Sequence, residues 1–461
     1  MNWFLDKPGV FSFAYGRSES YGTILTNPFT QKRISLTSDQ SQILALLDGK
    51  RTLLTILFSL LKNTGLGLIP FLNTFRQIRT TLDILTEGLL LCAHPIKSGE
   101  QVRLACPRDV PSGWASAPDA VTWEISRVCN LRCRHCLTAA PYKEDIANLA
   151  DDLVFADFMP VINALREMGI FSVTLTGGEP LLHPKILAIL DALNNAGICA
   201  DIATNGYAVS DSLLSELANR RISSIQVSID GFAEFHDDFR GVPGAFNGSI
   251  KSLERFSDLG FNTSISTTVT PKNLELLPSL AALAYQKGCA TYKAIPMMSA
   301  GRATHPDSPS GLSGNELRRF ATLIQDLDKQ YKGRMEIYTA SAMIHLLHEQ
   351  PQSITNRDDM DMIHMGCAAG KSTLNIGVDG SVSPCPFLRN HRLGNLLERP
   401  LWQIWDSSPI LQKLRSLTLS DFPQACQSCG HAGITCAGGC RASAYSKTGS
   451  LCGKDPSCFS S

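Results

Sequence analysis

From residue 121 to residue 296 the hydrophobic positions of the chain follow two alternating rhythms. Short runs rich in β-branched residues predict strands at 121–126, 171–176, 198–204, 224–229, 262–269 and 291–296. Between them, apolar positions three and four apart predict helices at 156–168, 184–196, 211–218, 248–259 and 273–287. Repeated βα units imply a parallel sheet with right-handed crossovers. Six of them fit an α/β fold, a partial (β/α)6 TIM-like barrel, with its chemistry at the C-terminal strand ends.

The flanks read differently. In residues 1–95, strand patterns at 10–15, 21–25 and 33–36 precede helical patterns at 37–48, 52–62 and 69–85. Thr37 supplies an N-cap and Asp48-Gly49 a stop, so the segment reads as a small winged-helix-like unit. Pro95, Pro107, Pro111 and Pro118 among Ser and Gly mark residues 96–120 as a linker. The barrel then occupies 121–345, and 346–461 form a third region. That region contains a hairpin around Asp379-Gly380 and one amphipathic helix at 402–414.

Charge narrows the partners. The 461 residues carry 42 Lys plus Arg against 42 Asp plus Glu, so nothing in the balance favours nucleic acid or an anionic membrane. The N-terminal Met1 to Pro8 lacks a basic stretch leading into a sustained apolar one, and no apolar run reaches membrane-spanning length. The expectation is a cytoplasmic protein. In a reducing compartment its 15 cysteines are not a disulfide framework, and their clustering favours metal or cluster ligation. Cys92, Cys106, Cys199 and Cys289 stand singly among apolar residues and read as small core side chains.

The chemistry concentrates at strand ends. Cys129, Cys133 and Cys136 follow the first strand in a C-x3-C-x2-C spacing. Three thiolates so close suit a soft metal or an iron–sulfur cluster, and zinc fits the spacing too. On a four-iron cluster, three protein thiolates leave one iron open to chelate a small molecule. Gly177-Gly178-Glu179 follows the second strand, with backbone free to approach a ligand and a carboxylate for an ammonium group. Asn205 ends the third strand, Ser228 and Asp230 the fourth, and Arg302 follows the sixth. Ser228 and Asp230 suit either ligand contact or capping of the helix beyond. Cys367, Cys385, Cys426, Cys429, Cys436, Cys440 and Cys458 form a second field. Paired zinc ribbons are its alternative reading.

Taken together, the C-x3-C-x2-C loop and the Gly-Gly-Glu turn resemble the signature of the radical S-adenosylmethionine (SAM) enzymes. The resemblance implies a [4Fe–4S] cluster on Cys129, Cys133 and Cys136, with SAM's methionine end on the open iron. It further implies that SAM is reductively cleaved to a 5′-deoxyadenosyl radical. Gly177, Gly178, Glu179, Asn205, Ser228, Asp230 and Arg302 would line SAM, and His135 would pack near its adenine. The second field resembles the SPASM extension, which implies two auxiliary iron–sulfur clusters. Cys367, Cys385 and Cys440 would hold the first, with His364 as a candidate fourth ligand. Cys426, Cys429, Cys436 and Cys458 would hold the second, with Cys452 competing for the last place. The spacing from Cys429 to Cys436 is one residue longer than the family's usual pattern.

Residues 34–53 resemble the peptide-binding chaperone of pyrroloquinoline quinone biosynthesis, the RiPP recognition element. A precursor peptide's leader would add to the sheet edge near Ile34 and pack on the helix near 71–82. The domain order resembles thioether synthases of the subtilosin type. The implied activity is maturation of a ribosomally made peptide through a thioether or carbon–carbon crosslink, with reduced flavodoxin or ferredoxin as electron donor. A modifier of haem or another tetrapyrrole is the enzymatic alternative, and a non-catalytic iron–sulfur electron carrier the alternative of another class.

Overall fold

The computed structural model describes residues 115–145, 157–170, 172–340 and 363–458 continuously, and only short stretches between residues 9 and 105. It divides into two compact units: Met1–Ala117 with Asn163–Ser172 and Asn195–Cys199, and the remainder of the chain.

In the first unit β2 (Tyr15–Glu19), β3 (Gly22–Thr26) and β4 (Arg33–Leu36) form an antiparallel meander. The strand expected at 10–15 is displaced: β1 (Gly9–Val10) pairs instead with β5 (Leu91–Cys92), and β2 begins only at Tyr15. The residues expected as a linker contribute β6 (Arg103–Ala105), parallel to β2, so the sheet has four strands with β4 at one edge. The three expected helices and Cys106 fall largely or wholly outside the described residues. Helical positions within them include Ile43, Leu57, Leu61 and Ile78, all buried.

The second unit is built on parallel strands laid side by side in chain order. They are β7 (Ala120–Ser126), β8 (Ser172–Gly177), β9 (Cys199–Thr204), β10 (Ser224–Ser228), β11 (Thr263–Val269), β12 (Thr291–Pro296) and β13 (Glu336–Tyr338). Alternation puts Val121, Trp123, Val173, Leu175, Ile225, Val227 and Tyr292 on the fully buried face. The opposite face is polar and partly open, with Thr174, Thr176, Gln226, Ser228 and Ser266. The intervening helices are α1 (Met159–Glu167), α2 (Ile186–Ala196), α3 (Asp211–Ala218), α4 (Ala233–Arg240), α5 (Ala245–Asp258), α6 (Leu277–Gln286) and α7 (Gly314–Tyr331).

Besides the unexpected helix α7, two features depart from the six-unit expectation. Helix α4 carries only His236, Phe239 and Arg240 as buried positions, too few for an apolar periodicity to announce it. Strand β13 is three residues with no apolar alternation, yet it pairs with β12 and makes a seventh parallel strand.

The C-terminal region continues the same sheet. β14 (Thr373–Ile376) pairs in parallel with β7, and β15 (Ser381–Ser383) returns antiparallel through the hairpin expected at Asp379-Gly380. β16 (Gly394–Asn395) closes the edge. The helix expected at 402–414 is two helices, α8 (Leu401–Ser407) and α9 (Pro409–Arg415). Pro409 cannot donate into a continuous helix and forces Ser408 to an extended ψ of 121°. Among the described residues no helix is long and apolar enough to cross a membrane.

A bidentate ion pair crosses from barrel to extension. Glu124 on β7 is 2% exposed and receives both Nη atoms of Arg389, one at 2.6 Å. Arg389→Met would leave that carboxylate buried without its cation. We expect a stability loss of about 3 kcal/mol, read as a lower urea midpoint at unchanged m-value, with Glu124→Gln/Arg389→Met recovering much of it.

Candidate functional site

The loop after β7 is fastened by main chain on three sides. Gly178 N–H donates to Ser126 O at 2.7 Å and Glu179 N–H to Val128 O at 2.8 Å, which joins the Gly-Gly-Glu turn to the loop. Arg132 and Arg134 N–H donate to Arg240 O and Phe239 O at the end of α4. Arg302 N–H donates to Cys136 O. Both glycines are required for these approaches: a Cβ on Gly177 would stand 2.2 Å from Ser126 O, and one on Gly178 2.1 Å from Val128 O. Gly177 also has φ of 125°, which other residues rarely adopt. The glycines thus admit the chain's own loop.

Cys129, Cys133 and Cys136 converge closely enough to influence one another's ionisation. Burial, reinforced by Glu179 and Cys133, pushes the Cys129 thiol up to about 12. Burial also raises Cys133, against the opposing pull of Arg240. Three cysteines on one loop, their sulfurs met by amide, hydroxyl and guanidinium groups, suit an iron–sulfur cluster. The residues present fit a cluster.

Glu179 is fully enclosed, and burial raises its pKa although three donors favour its anion. Its Oε1 accepts from Leu181 N–H (3.0 Å) and Thr204 Oγ1 (2.7 Å), its Oε2 from Asn205 N–H (2.8 Å). A carboxylate has about four acceptor positions, so one remains, on Oε2.

The other expected ligand-binding residues divide. Ser228 is partly open at the end of β10. Asn205 is occupied by the loop, its Nδ2 reaching Asn130 Oδ1 (2.8 Å) and Cys129 Sγ (3.6 Å). Asp230 caps no helix: it accepts from Arg240 Nε (2.6 Å) and from Thr268 N–H of β11 (2.8 Å). Arg302 donates from Nε to Cys133 O and from Nη1 to Ala140 O, both at 2.8 Å, and so clamps the loop itself. His135 stacks on Phe239 with centroids 4.0 Å apart, and burial lowers its pKa to about 3, so the ring is neutral.

Arg240 escaped the sequence reading as a site residue. It is 8% exposed, pairs with Asp230, and sends Nη1 to Cys133 Sγ at 3.7 Å. Nothing in the sequence around it shows what it faces.

The second cysteine field separates into two groups. Cys385 feels Cys367 and Cys440. Cys436 feels Cys429 and Cys458, and Cys426 feels Cys458 and Cys436. The latter four line one cavity with Met365, Lys454 and Asp455. Cys458 rather than Cys452 is the member that joins them, and His364 is exposed. The longer Cys429–Cys436 spacing is absorbed in a turn where Ile434, Thr435 and Cys436 N–H all donate to His431 O. Cys199 and Cys289 are buried, as expected of core side chains.

Residues 123–283 match the radical SAM superfamily, and residues 367–430 match SPASM, an iron-sulfur cluster-binding domain. The first kind of domain binds a [4Fe–4S] cluster and SAM, the second auxiliary iron–sulfur clusters. An AdoMet-dependent heme synthase of Methanosarcina barkeri is 28% identical over 350 residues, 75% of this chain and 97% of its own. The mycofactocin maturase MftC of Mycobacterium ulcerans is 29% identical over 356 residues, 74% of this chain and 88% of its own. In fold, the chain is similar to Streptococcus suis SuiB crystallised with its precursor peptide SuiA. The TM-score is 0.68 at 19% identity, over 97% of this chain and 98% of that one.

Gly178→Ala tests the fastening of the loop. We expect a stability loss of about 1–3 kcal/mol and a severalfold drop in iron bound per chain after anaerobic reconstitution, by thermal unfolding and iron assay.

Proposed function

Taking the chain as a radical SAM enzyme with a SPASM extension, we propose that it matures a ribosomally made precursor peptide. The observation that carries the reading is a fold likeness to a peptide-bound relative that runs nearly the whole length of both chains. The likeness to the maturase MftC supports it.

Cys129, Cys133 and Cys136 hold the first cluster and leave one iron for SAM. When bound, cluster and SAM supply one electron and a 5′-deoxyadenosyl radical that takes hydrogen from an unactivated carbon. The spare acceptor position of Glu179 would receive SAM's ammonium group, in the turn that Gly177 and Gly178 hold against the cysteine loop. Ser228 faces the cofactor from the end of β10. Asn205, Asp230 and Arg302 act one step back, because their polar atoms are engaged with the loop and its supports. Cys367, Cys385 and Cys440 hold one auxiliary cluster, and Cys426, Cys429, Cys436 and Cys458 the other.

The leader peptide adds to β4, the strand that ends the N-terminal sheet. Tethering there raises the concentration of the core peptide at the barrel. The product is a thioether or a carbon–carbon crosslink, and reduced flavodoxin or ferredoxin is the electron source. A second reading, modification of a haem or tetrapyrrole, is favoured by the likeness to the heme synthase.

Reconstituted, dithionite-reduced protein is expected to release 5′-deoxyadenosine from SAM, with Cys133→Ala lowering the rate at least a hundredfold. No product from the parent chain would sink the reading. A precursor peptide encoded beside this gene is expected to stimulate the release and to bind at least tenfold more weakly once residues 1–95 are removed. Stimulation by a tetrapyrrole instead would select the second reading.

A further inference from the structure

Each of the three cysteine sulfurs after β7 has a polar group that can donate to it, and the three groups are unequal. Asn205 Nδ2, a neutral amide, donates to Cys129 Sγ at 3.6 Å. Thr138 Oγ1 lies 3.4 Å from Cys136 Sγ and 3.3 Å from Gly177 O, so its single proton is divided between them. Arg240 Nη1 meets Cys133 Sγ at 3.7 Å and alone brings a full charge.

The arginine is aimed. Its Nε donates to Asp230 Oδ2 at 2.6 Å while Thr268 N–H holds the other carboxylate oxygen at 2.8 Å. Asp230 is therefore fixed between β11 and α4, and the planar guanidinium can turn only one edge toward the sulfur. The backbone repeats the contact, since Arg240 O accepts from Arg132 N–H inside the cysteine loop. A Cβ on the next residue, Gly241, would stand 2.8 Å from Arg132 O, so α4 ends hard against the loop.

We propose that Arg240, aimed by Asp230, is a positioning residue that sets the reduction potential of the cluster held by Cys129, Cys133 and Cys136. A cluster becomes more negative when reduced, so a buried positive donor at one of its sulfurs stabilises the reduced form and raises the potential. The carboxylate behind the arginine opposes it at longer range. The two partners thus act with opposite signs. This rests on the reading that the three cysteines hold a cluster.

The test is an anaerobic redox titration of the reconstituted full-length chain, followed by electron paramagnetic resonance. The signal that changes on adding SAM identifies this cluster among the three. Arg240→Gln is expected to lower the ratio of reduced to oxidised cluster at fixed potential about tenfold, equivalent to about 59 mV for a one-electron couple. Asp230→Asn is expected to raise that ratio severalfold, and Arg240→Lys to fall between parent and Arg240→Gln. Arg302→Gln, whose parent side chain bonds loop carbonyls and no sulfur, should move it less than Arg240→Gln. If Arg240→Gln fails to hold iron, the Asp230→Asn and Arg240→Lys shifts decide alone. Midpoints unmoved at full iron content, or moved the same way by Arg240→Gln and Asp230→Asn, would overturn the inference. A parent chain with no SAM-responsive signal would overturn the cluster assignment and this inference together.

Discussion

Two main-chain hydrogen bonds, from Gly178 to Ser126 and from Glu179 to Val128, bring the turn after β8 against the loop after β7. They exist because no Cβ stands between the two segments, and much else is propagated from them. They deliver the Glu179 carboxylate to β9, where Thr204 and Asn205 grip it. Asn205 in turn reaches the loop again through Asn130 and Cys129. The circuit closes on itself: loop, turn, third strand, loop. A side chain added at either glycine strains every member of it at once.

Burial pushes up the thiols of Cys129, Cys133, Cys385, Cys426, Cys436 and Cys440, and cations stand near each group. Arg240 stands by Cys133, Lys371 by Cys367, and the fully buried Arg441 within electrostatic reach of Cys426. Each cation is anchored by groups other than sulfur: Arg240 by Asp230, Lys371 by Met365 O, Arg441 by Leu451 O and Gly453 O. Such anchoring holds a positive charge beside the sulfurs, where solvent would otherwise screen it. All three groups therefore follow one electrostatic scheme, although only the first lies on a barrel strand end.

How much of this could be read from sequence depended on distance along the chain. Asp211–Ala218 and Thr291–Pro296 matched to the residue, because their patterns are local and strong. The nearness of Cys385 to Cys367 and Cys440, far apart along the chain, could be expected only through the resemblance to the SPASM extension. Arg103–Ala105 was hidden in proline-rich surroundings that masked a strand, and α4 because charged residues outnumber its buried ones. The role of Arg240 was invisible for a different reason. Its partner sulfur lies 107 positions away, and nothing local to either residue announces the meeting. That Asn205 and Arg302 bond the cysteine loop was hidden for the same reason. Residue type showed that each side chain forms hydrogen bonds, not with what.

The pairing of β14 with β7 has a consequence for how the molecule is made. β7 is the first barrel strand to leave the ribosome and would be the sheet's open edge, with alternating apolar residues ready to accept a stray strand. Its proper neighbour is synthesised only after every other strand of the barrel. Until then the growing chain carries an unprotected template, and closing it demands a contact between distant segments, the slow kind. The finished edge, by contrast, is the two-residue β16, too short to recruit anything. The C-terminal extension is thus a late-arriving guard for the barrel's oldest strand, and a chain truncated ahead of it would be prone to aggregate before it could ever be inactive.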